Sequence, residues 1–263
     1  MQIKANYHTH TPMCHHASGA MRDYVESAVR AGLSTLGFSC HAPYSFDGDY
    51  VSWFRMLPSE AETYFSELSA LREEFRDKIE IFIGFEAEYY PRHFDALLGL
   101  SEKLGCDYLI LGQHFTNNEY DGVYSGDGSD DMSHLDAYVS QVVRAMATGK
   151  FTYLAHPDLV RDMGKTDIFL EKMGPLCRAS LEYDVPLEIN LLGIADGRRY
   201  PNESFWKMVG EFGCRTVIGY DAHSPDYLEN TDALRRAFEI IEKYDLNFTE
   251  NNITLRRPSA TKI

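Results

Sequence analysis

Met21-Arg-Asp-Tyr-Val-Glu-Ser-Ala-Val-Arg-Ala-Gly-Leu-Ser-Thr-Leu-Gly-Phe-Ser-Cys-His41 contains one complete unit of the architecture. In its first half Tyr24/Val25 and Ala28/Val29 recur at helical period, and Gly32 supplies a stop, so 21–31 reads as an amphipathic helix. Its second half, Thr35–His41, is an apolar run of strand length that ends on a histidine. The same alternation continues along the chain. Further apolar runs span Ile3–His8, Glu80–Tyr89, Tyr108–His114, Phe151–His156, Pro186–Asn190 and Thr216–His223. Helical patterns lie between or after them at Pro58–Arg76, Phe94–Leu104, Leu135–Thr148, Ile168–Tyr183, Pro201–Phe212 and Tyr227–Lys243. Such β–α alternation predicts an α/β fold with a parallel sheet. With no Gly/Ser/Pro-rich linker between units, one barrel domain over 1–263 is expected rather than two domains. The 263 residues match the roughly 250 that an α/β barrel uses. Asn117–Ser133, the longest polar, glycine-bearing loop, reads as an active-site flap.

Composition excludes several classes. The chain is 44% hydrophobic and 25% charged, and its apolar runs fall well short of the ~20 residues of a membrane span. The start, Met1 to Tyr7, has one basic residue and no apolar core of a signal peptide, so a cytoplasmic protein is expected. A formal charge of −15 and the lack of a basic stripe argue against nucleic acid as a partner. A small substrate, particularly one with a cationic part, suits that balance. The five cysteines form no CxxC pair, which predicts reduced thiols. Cys14 and Cys40 neighbour candidate ligand histidines but read as packing residues.

The histidines fall at strand ends. His8 and His10 close the first run, His41 the second, His114 the fourth and His156 the fifth, while Asp221 and His223 close the seventh. Glu86 and Glu88 come late in the third, and Glu188 and Asn190 end the sixth. In a parallel barrel the carboxyl ends of all strands share one rim, so these residues are expected to converge on one pocket. His8/His10, Glu86/Glu88 and Asp221/His223 are each spaced i, i+2, which on a strand puts both side chains on one face. Imidazole mixed with carboxylate suits Zn, Mn or Fe. One strand histidine alone would read as a buried, hydrogen-bonded residue. His93 and His134, in or beside helical segments, are read that way, whereas the strand-end set is read as a metal site. His15 and His16 are adjacent, and one of them is expected to be a ligand.

The ordered motifs His8-Thr9-His10, Cys40-His41, Gly84-Phe85-Glu86, Gly112-Gln113-His114, Ala155-His156-Pro157-Asp158 and Gly219-Tyr220-Asp221-Ala222-His223 resemble those of the PHP (polymerase and histidinol phosphatase) family over essentially the whole chain. Within it, His10 to Gly19, Gly112 to Phe115 and Glu188 to Asn190 are most similar to the monofunctional members acting on L-histidinol phosphate. The resemblance implies a distorted (β/α)7 barrel holding three divalent ions. It implies His8, His10, Glu86 and Asp221 for the first, His16, His41 and His223 for the second, and bridging Glu86 with His114 and His156 for the third. His16 is taken over His15 because it follows His10 by six residues, as in the family pattern. Glu88 is implied to be a pocket residue.

The chemistry expected is hydrolysis of a small phosphate monoester in histidine biosynthesis, by direct attack of a metal-bridging hydroxide. Asp221 and His223, with Arg161 and Arg198 as phosphate forks, are the expected catalytic groups. Ser18, Asn190 and Ser224 could add hydrogen bonds, and Glu88, Glu119 or Asp158 could meet a cationic amine or imidazole. Competing readings are a PHP phosphoesterase for nucleotides, which shares every ligand, an amidohydrolase-like enzyme cleaving C–N bonds, and a non-enzymatic metal-binding module.

Overall fold

The computed structural model describes residues 2–250 and 253–259. Four parallel strands stand in order: β1 (Ala5–Asn6), β2 (Thr35–His41), β3 (Glu80–Ala87) and β4 (Tyr108–Leu111). A hairpin, β5 (Phe115–Thr116) with β6 (Val123–Tyr124), rises from the rim beyond β4. The fifth stave, 152–155, is joined on both sides through Leu154, which bridges Leu111 and Leu187 in parallel. There Thr152 N donates to Leu109 O at 2.7 Å and Leu154 N to Pro186 O at 2.9 Å. β7 (Leu187–Asn190) and β8 (Arg215–Gly219) follow. The ring closes where Thr9 bridges Ala222, with His10 N donating to Ala222 O at 2.9 Å. Lower down, β9 (Asn247–Phe248) pairs with the first residues of β8. The result is a distorted seven-stave parallel barrel, as the alternation predicts.

Helices cover the outside: α1 (Met21–Arg30), α2 (Ala61–Glu74), α3 (Phe94–Leu104), α4 (Ser133–Ala147), α5 (Thr166–Glu182), the short α6 (Leu191–Ala195), α7 (Glu203–Phe212) and α8 (Thr231–Lys243). Strand alternation separates two apolar layers. On β3, Ile81, Ile83, Phe85 and Ala87 pack in the layer that holds helix residues such as Tyr24 and Leu68. Phe82 instead packs with Ala5, Tyr7, Tyr108, Ile110, Tyr153, Ala155 and Val217, which plug the barrel. Glu86 and Glu88 share the parity of Phe82, so β3 carries its carboxylates inward above that plug. Removing each large apolar side chain from water contributes about 1.5–3 kcal/mol, so the plug helps to hold the barrel together beneath the rim.

Sequence and structure differ mainly at element ends. The pattern over 201–212 becomes a helix only from Glu203, because Asn202 caps it, its Oδ1 accepting from Phe205 N at 3.1 Å. The pattern over 227–243 divides at Asn230, whose Oδ1 accepts from Ala233 N at 3.0 Å and starts α8. The fifth stave is shorter than its apolar run. His156 turns to φ 31° just before Pro157, and this ends the pairing. Within Asn117–Ser133, Val123–Tyr124 form β6, which pairs with β5 just before that loop.

Candidate metal centre

All nine side chains expected as ligands meet at the carboxyl rim. Glu86 stands at the centre: Oε1 is 2.9 Å from His156 Nε2 and 3.5 Å from His114 Nε2. Its Oε2 is 3.0 Å from His41 Nδ1 and 3.4 Å from His10 Nε2. Asp221 Oδ1 lies 3.1 Å from His10 Nε2 and 3.3 Å from His8 Nε2. Across the pocket His16 Nε2 and His223 Nε2 face each other at 3.0 Å. Both residues of the adjacent pair are exposed, but His16 lines the pocket while His15 sits in a left-handed turn (φ 66°) outside the lining.

A second layer of groups orients these side chains. His8 Nδ1 donates to Glu188 Oε1 at 2.8 Å, and Glu188 Oε2 accepts from His156 N at 3.1 Å. Asn190 Nδ2 donates to Glu188 Oε2 (3.0 Å) and Asp221 Oδ2 (3.1 Å), so Asn190 supports the carboxylates from beneath. His114 Nδ1 donates to Glu88 Oε1 at 3.0 Å. His16 Nδ1 and His223 Nδ1 donate to the carbonyls of Cys14 (2.7 Å) and Asp221 (2.9 Å). His156 and Asp221 have positive φ, 31° and 52°. For non-glycine residues that costs on the order of 1–3 kcal/mol each, strain of the kind that collects at functional sites. Gly112 completes the centre by absence, since a Cβ there would lie 2.0 Å from Glu86 Oε1.

Electrostatics follow from the crowding. Burial alone would raise Glu86, but the charges of His114, His8 and His41 hold it well below the usual carboxylate range. Asp221 is likewise held low against burial by His8, His10 and His223. Burial pulls His10 down, yet Asp221 and Glu86 raise it to about 9. Burial and the charge of His10 depress His223 to about 3, leaving a neutral imidazole. With their Nδ1 hydrogens on carbonyls, His16 and His223 turn Nε2 lone pairs toward each other, an arrangement that calls for a cation between them.

These residues fit metal ions. His41 Nδ1 and Glu86 Oε2, 3.0 Å apart without meeting hydrogen-bond geometry, and His10 Nδ1 are buried with no hydrogen-bond partner, which is costly unless something else satisfies them. Ligand atoms of His8, His10 and Asp221 lie within 4.8 Å of one another, as do those of His8, Glu86 and His156, and those of His10, His41 and His223. Cys14 and Cys40 form such a group with His10 and are buried free thiols, like the other three cysteines.

The centre floors a cavity of about 510 Å³. Its walls include Trp53, Phe54, Phe115, Tyr124, Leu159, Leu192, Tyr200 and Tyr227, with Asp196 and Arg198 as the charged groups away from the cluster. Arg198 Nη1 donates to Tyr200 Oη at 3.0 Å and Nη2 to Asp196 Oδ2 at 2.9 Å. Arg198 is the one side chain expected to touch substrate that lines the cavity among the described residues. Arg161 stands on the loop between the fifth stave and α5, its carbonyl accepting from His134 Nε2 at 2.9 Å. Glu119 is taken up by Arg55 and by Tyr50 Oη at 2.8 Å. Asp158 is buried against Trp206 Nε1 (2.9 Å) and Asn202 N. Ser224 donates to Asp226, and Ser18 meets His223 O through its backbone N at 2.8 Å. Glu88, Glu119 and Asp158, expected to meet a cationic group, are outside the cavity lining and accept from protein donors, Asp158 through Oδ2. His93 and His134 stay outside the cluster; His134 is hydrogen-bonded as expected, whereas His93 is buried with its Nε2 lacking a hydrogen-bond partner. The arginine between Glu88 and Glu119, the acid Asp196 and the aromatic wall carry no sequence spacing that points to the site. Glu188 does, through its i, i+2 relation to Asn190.

The PHP domain family profile matches residues 6–191. A relative in Deinococcus radiodurans named "Probable histidinol-phosphatase" is 29% identical over 236 residues, 83% of this chain and 85% of its own length. The histidinol-phosphatase of Bacillus subtilis is 32% identical over 122 residues, 44% of this chain and 46% of its own. Among solved structures, histidinol phosphate phosphatase from Lactococcus lactis, complexed with zinc, L-histidinol and phosphate, superposes with a TM-score of 0.72 at 19% identity over 100% of both chains. That likeness is one of fold. The profile match spans most of the chain and carries seven of the nine side chains built above, Asp221 and His223 lying beyond it: the chain belongs to the PHP domain family.

Proposed function

We propose that this chain is a metal-dependent phosphomonoesterase that hydrolyses L-histidinol phosphate to L-histidinol and phosphate. The observation that carries the reading is Glu86 standing among four imidazoles beneath a cavity that also presents an arginine. The names of the relatives support the substrate, and the zinc, histidinol and phosphate of the Lactococcus lactis structure support its chemistry. Cytoplasmic conditions, which keep free thiols reduced, suit the five unpaired cysteines.

In this reading three divalent ions, Zn, Mn or Fe, are held as follows. His8, His10, Glu86 and Asp221 hold the first, and His16, His41 and His223 the second. Glu86, His114 and His156 hold the third. Bound divalent ions lower the pKa of coordinated water and neutralise phosphoryl oxygens. The protein's own groups do the rest. Glu188 and Glu88 keep His8 and His114 in the tautomer that leaves Nε2 free. Arg198, the arginine of the cavity wall, forks the phosphate oxygens. Asp221, which lines the cavity, would relay the proton to the leaving oxygen, while His223, with Nδ1 on the Asp221 carbonyl, serves through Nε2 as a ligand. The aromatic wall accepts a flat ring and sheds water, which strengthens every charge interaction at the floor.

Steady-state rates with L-histidinol phosphate, nucleoside monophosphates and an aryl phosphate test the substrate. The proposal expects kcat/KM highest for L-histidinol phosphate. Preference for a nucleotide moves the chain to the nucleotide reading, and no phosphate release from any monoester favours C–N hydrolysis.

A further inference from the structure

Arg55 is among the largest fully buried side chains, 2% exposed, on the segment between β2 and α2. Every guanidinium nitrogen has a partner. Nε and Nη2 donate to Glu119 Oε2 at 2.8 and 2.6 Å, Nη2 and Nη1 to Glu88 at 3.0 and 3.2 Å, and Nη1 to Ala42 O at 2.8 Å. The Phe54 ring packs on its face, 4.4 Å from the guanidinium carbon. The two carboxylates lie in different parts of the rim. Glu88 follows β3 and accepts from His114 Nδ1 at 3.0 Å, whereas Glu119 sits in the loop joining β5 to β6. That hairpin supplies Phe115 from β5 and Tyr124 from β6 to the cavity wall.

We propose that Arg55 is a positioning residue with two arms. Through Glu88 it fixes the ring orientation of His114, and through Glu119 it ties the β5–β6 hairpin down over the cavity. Geometry gives the reason. Glu88 could not keep one oxygen trained on His114 if its other contacts were mobile, and a buried carboxylate without a cation is strongly unfavourable. A planar fork satisfies two carboxylates at fixed angles, which a lysine ammonium cannot do. The inference rests on the proposed metal centre and adds to it how His114 and the hairpin are held.

The test uses the purified metal-loaded protein. Retention of metal against a chelator, kcat and KM are measured for wild type, Arg55→Ala, Arg55→Lys and Glu119→Gln. Arg55→Ala should lose metal affinity or kcat by about 10–100-fold, the range for removing a group that orients a ligand. Millimolar guanidinium should restore much of that loss and ammonium at equal ionic strength should not. Glu119→Gln should raise KM several-fold while metal retention stays within twofold. A folded Arg55→Ala protein with wild-type metal retention and kcat overturns the proposal, as does equal rescue by guanidinium and ammonium. If Arg55→Ala does not fold, Arg55→Lys decides: wild-type retention in that variant overturns it equally. An unchanged KM in Glu119→Gln overturns the hairpin arm. Wild-type protein that holds metal but releases no phosphate refutes the proposed function alone, because the retention comparison still stands.

Discussion

Gly112→Ala is the sharpest test of how the centre is packed. A Cβ at 112 would lie 2.0 Å from Glu86 Oε1, 2.5 Å from its Cδ and 2.6 Å from its Cγ, where real contacts essentially never fall below 3.0 Å. The carboxylate must therefore retreat by about 1 Å, and a misplacement of that size can cost roughly 100-fold in rate. Retreat is not free, because Glu86 is held by His156 at 2.9 Å and His41 at 3.0 Å. The expected result is a folded protein with kcat down about 100-fold, or roughly 2.7 kcal/mol of transition-state stabilisation, and with reduced metal content by mass spectrometry. Gly99→Ala is the control. It lies inside α3 with open space around the new methyl group, so it should stabilise by about 0.5–1 kcal/mol and leave kcat unchanged. Gly112→Ala protein with full metal content and kcat within threefold of wild type would refute the packing argument.

Two further outcomes follow from particular side chains. Burial raises Asp158 from 3.8 to about 6 against the opposing hydrogen bonds of Asn202 and Trp206, so the native state binds the extra proton between those values. Its contribution to stability is thus present below about pH 4 and lost as pH rises through 6, a change of roughly 3 kcal/mol. Asp158→Asn, which keeps an oxygen for both donors, should gain on wild type in urea midpoint between pH 4 and 7, and a pH-independent difference would contradict this. Arg198→Ala should lower kcat/KM by about 10–100-fold, the worth of a charge-assisted hydrogen bond. The inhibition constant of inorganic phosphate should rise in parallel, and an unchanged constant would remove Arg198 from the phosphate site.

How much of this could be read in the sequence depends on whether a feature is local. The barrel was legible because strand and helix periods are local, and because parallel strands put every carboxyl end on one rim. His8, His41, Glu86, His156 and Asp221 could therefore be placed together without knowing any distance. Their supports were harder to read. That Glu88 points to His114 and Arg55, or Glu119 to Arg55 and Tyr50, depends on where separate loops cross. Arg55 lies 33 residues from Glu88 and 64 from Glu119, and no periodicity links them. Asp158 looked available to a substrate because nothing near it in sequence announces Trp206 as its donor. The aromatic wall is the same case, since Trp53, the β5–β6 hairpin's Phe115 and Tyr124, and Tyr200 come from separate stretches of the chain. The fifth stave was overestimated because apolarity predicts burial, whereas the left-handed turn at His156 is set by the rim.

Phosphate release from L-histidinol phosphate, followed before chelation, after exhaustive chelation and after return of a divalent ion, addresses the central claim most directly. The account predicts turnover that disappears with the metal, returns with it, and is absent from a folded His8→Ala, His10→Ala protein. Turnover that survives chelation, or persists in that double variant, would contradict it.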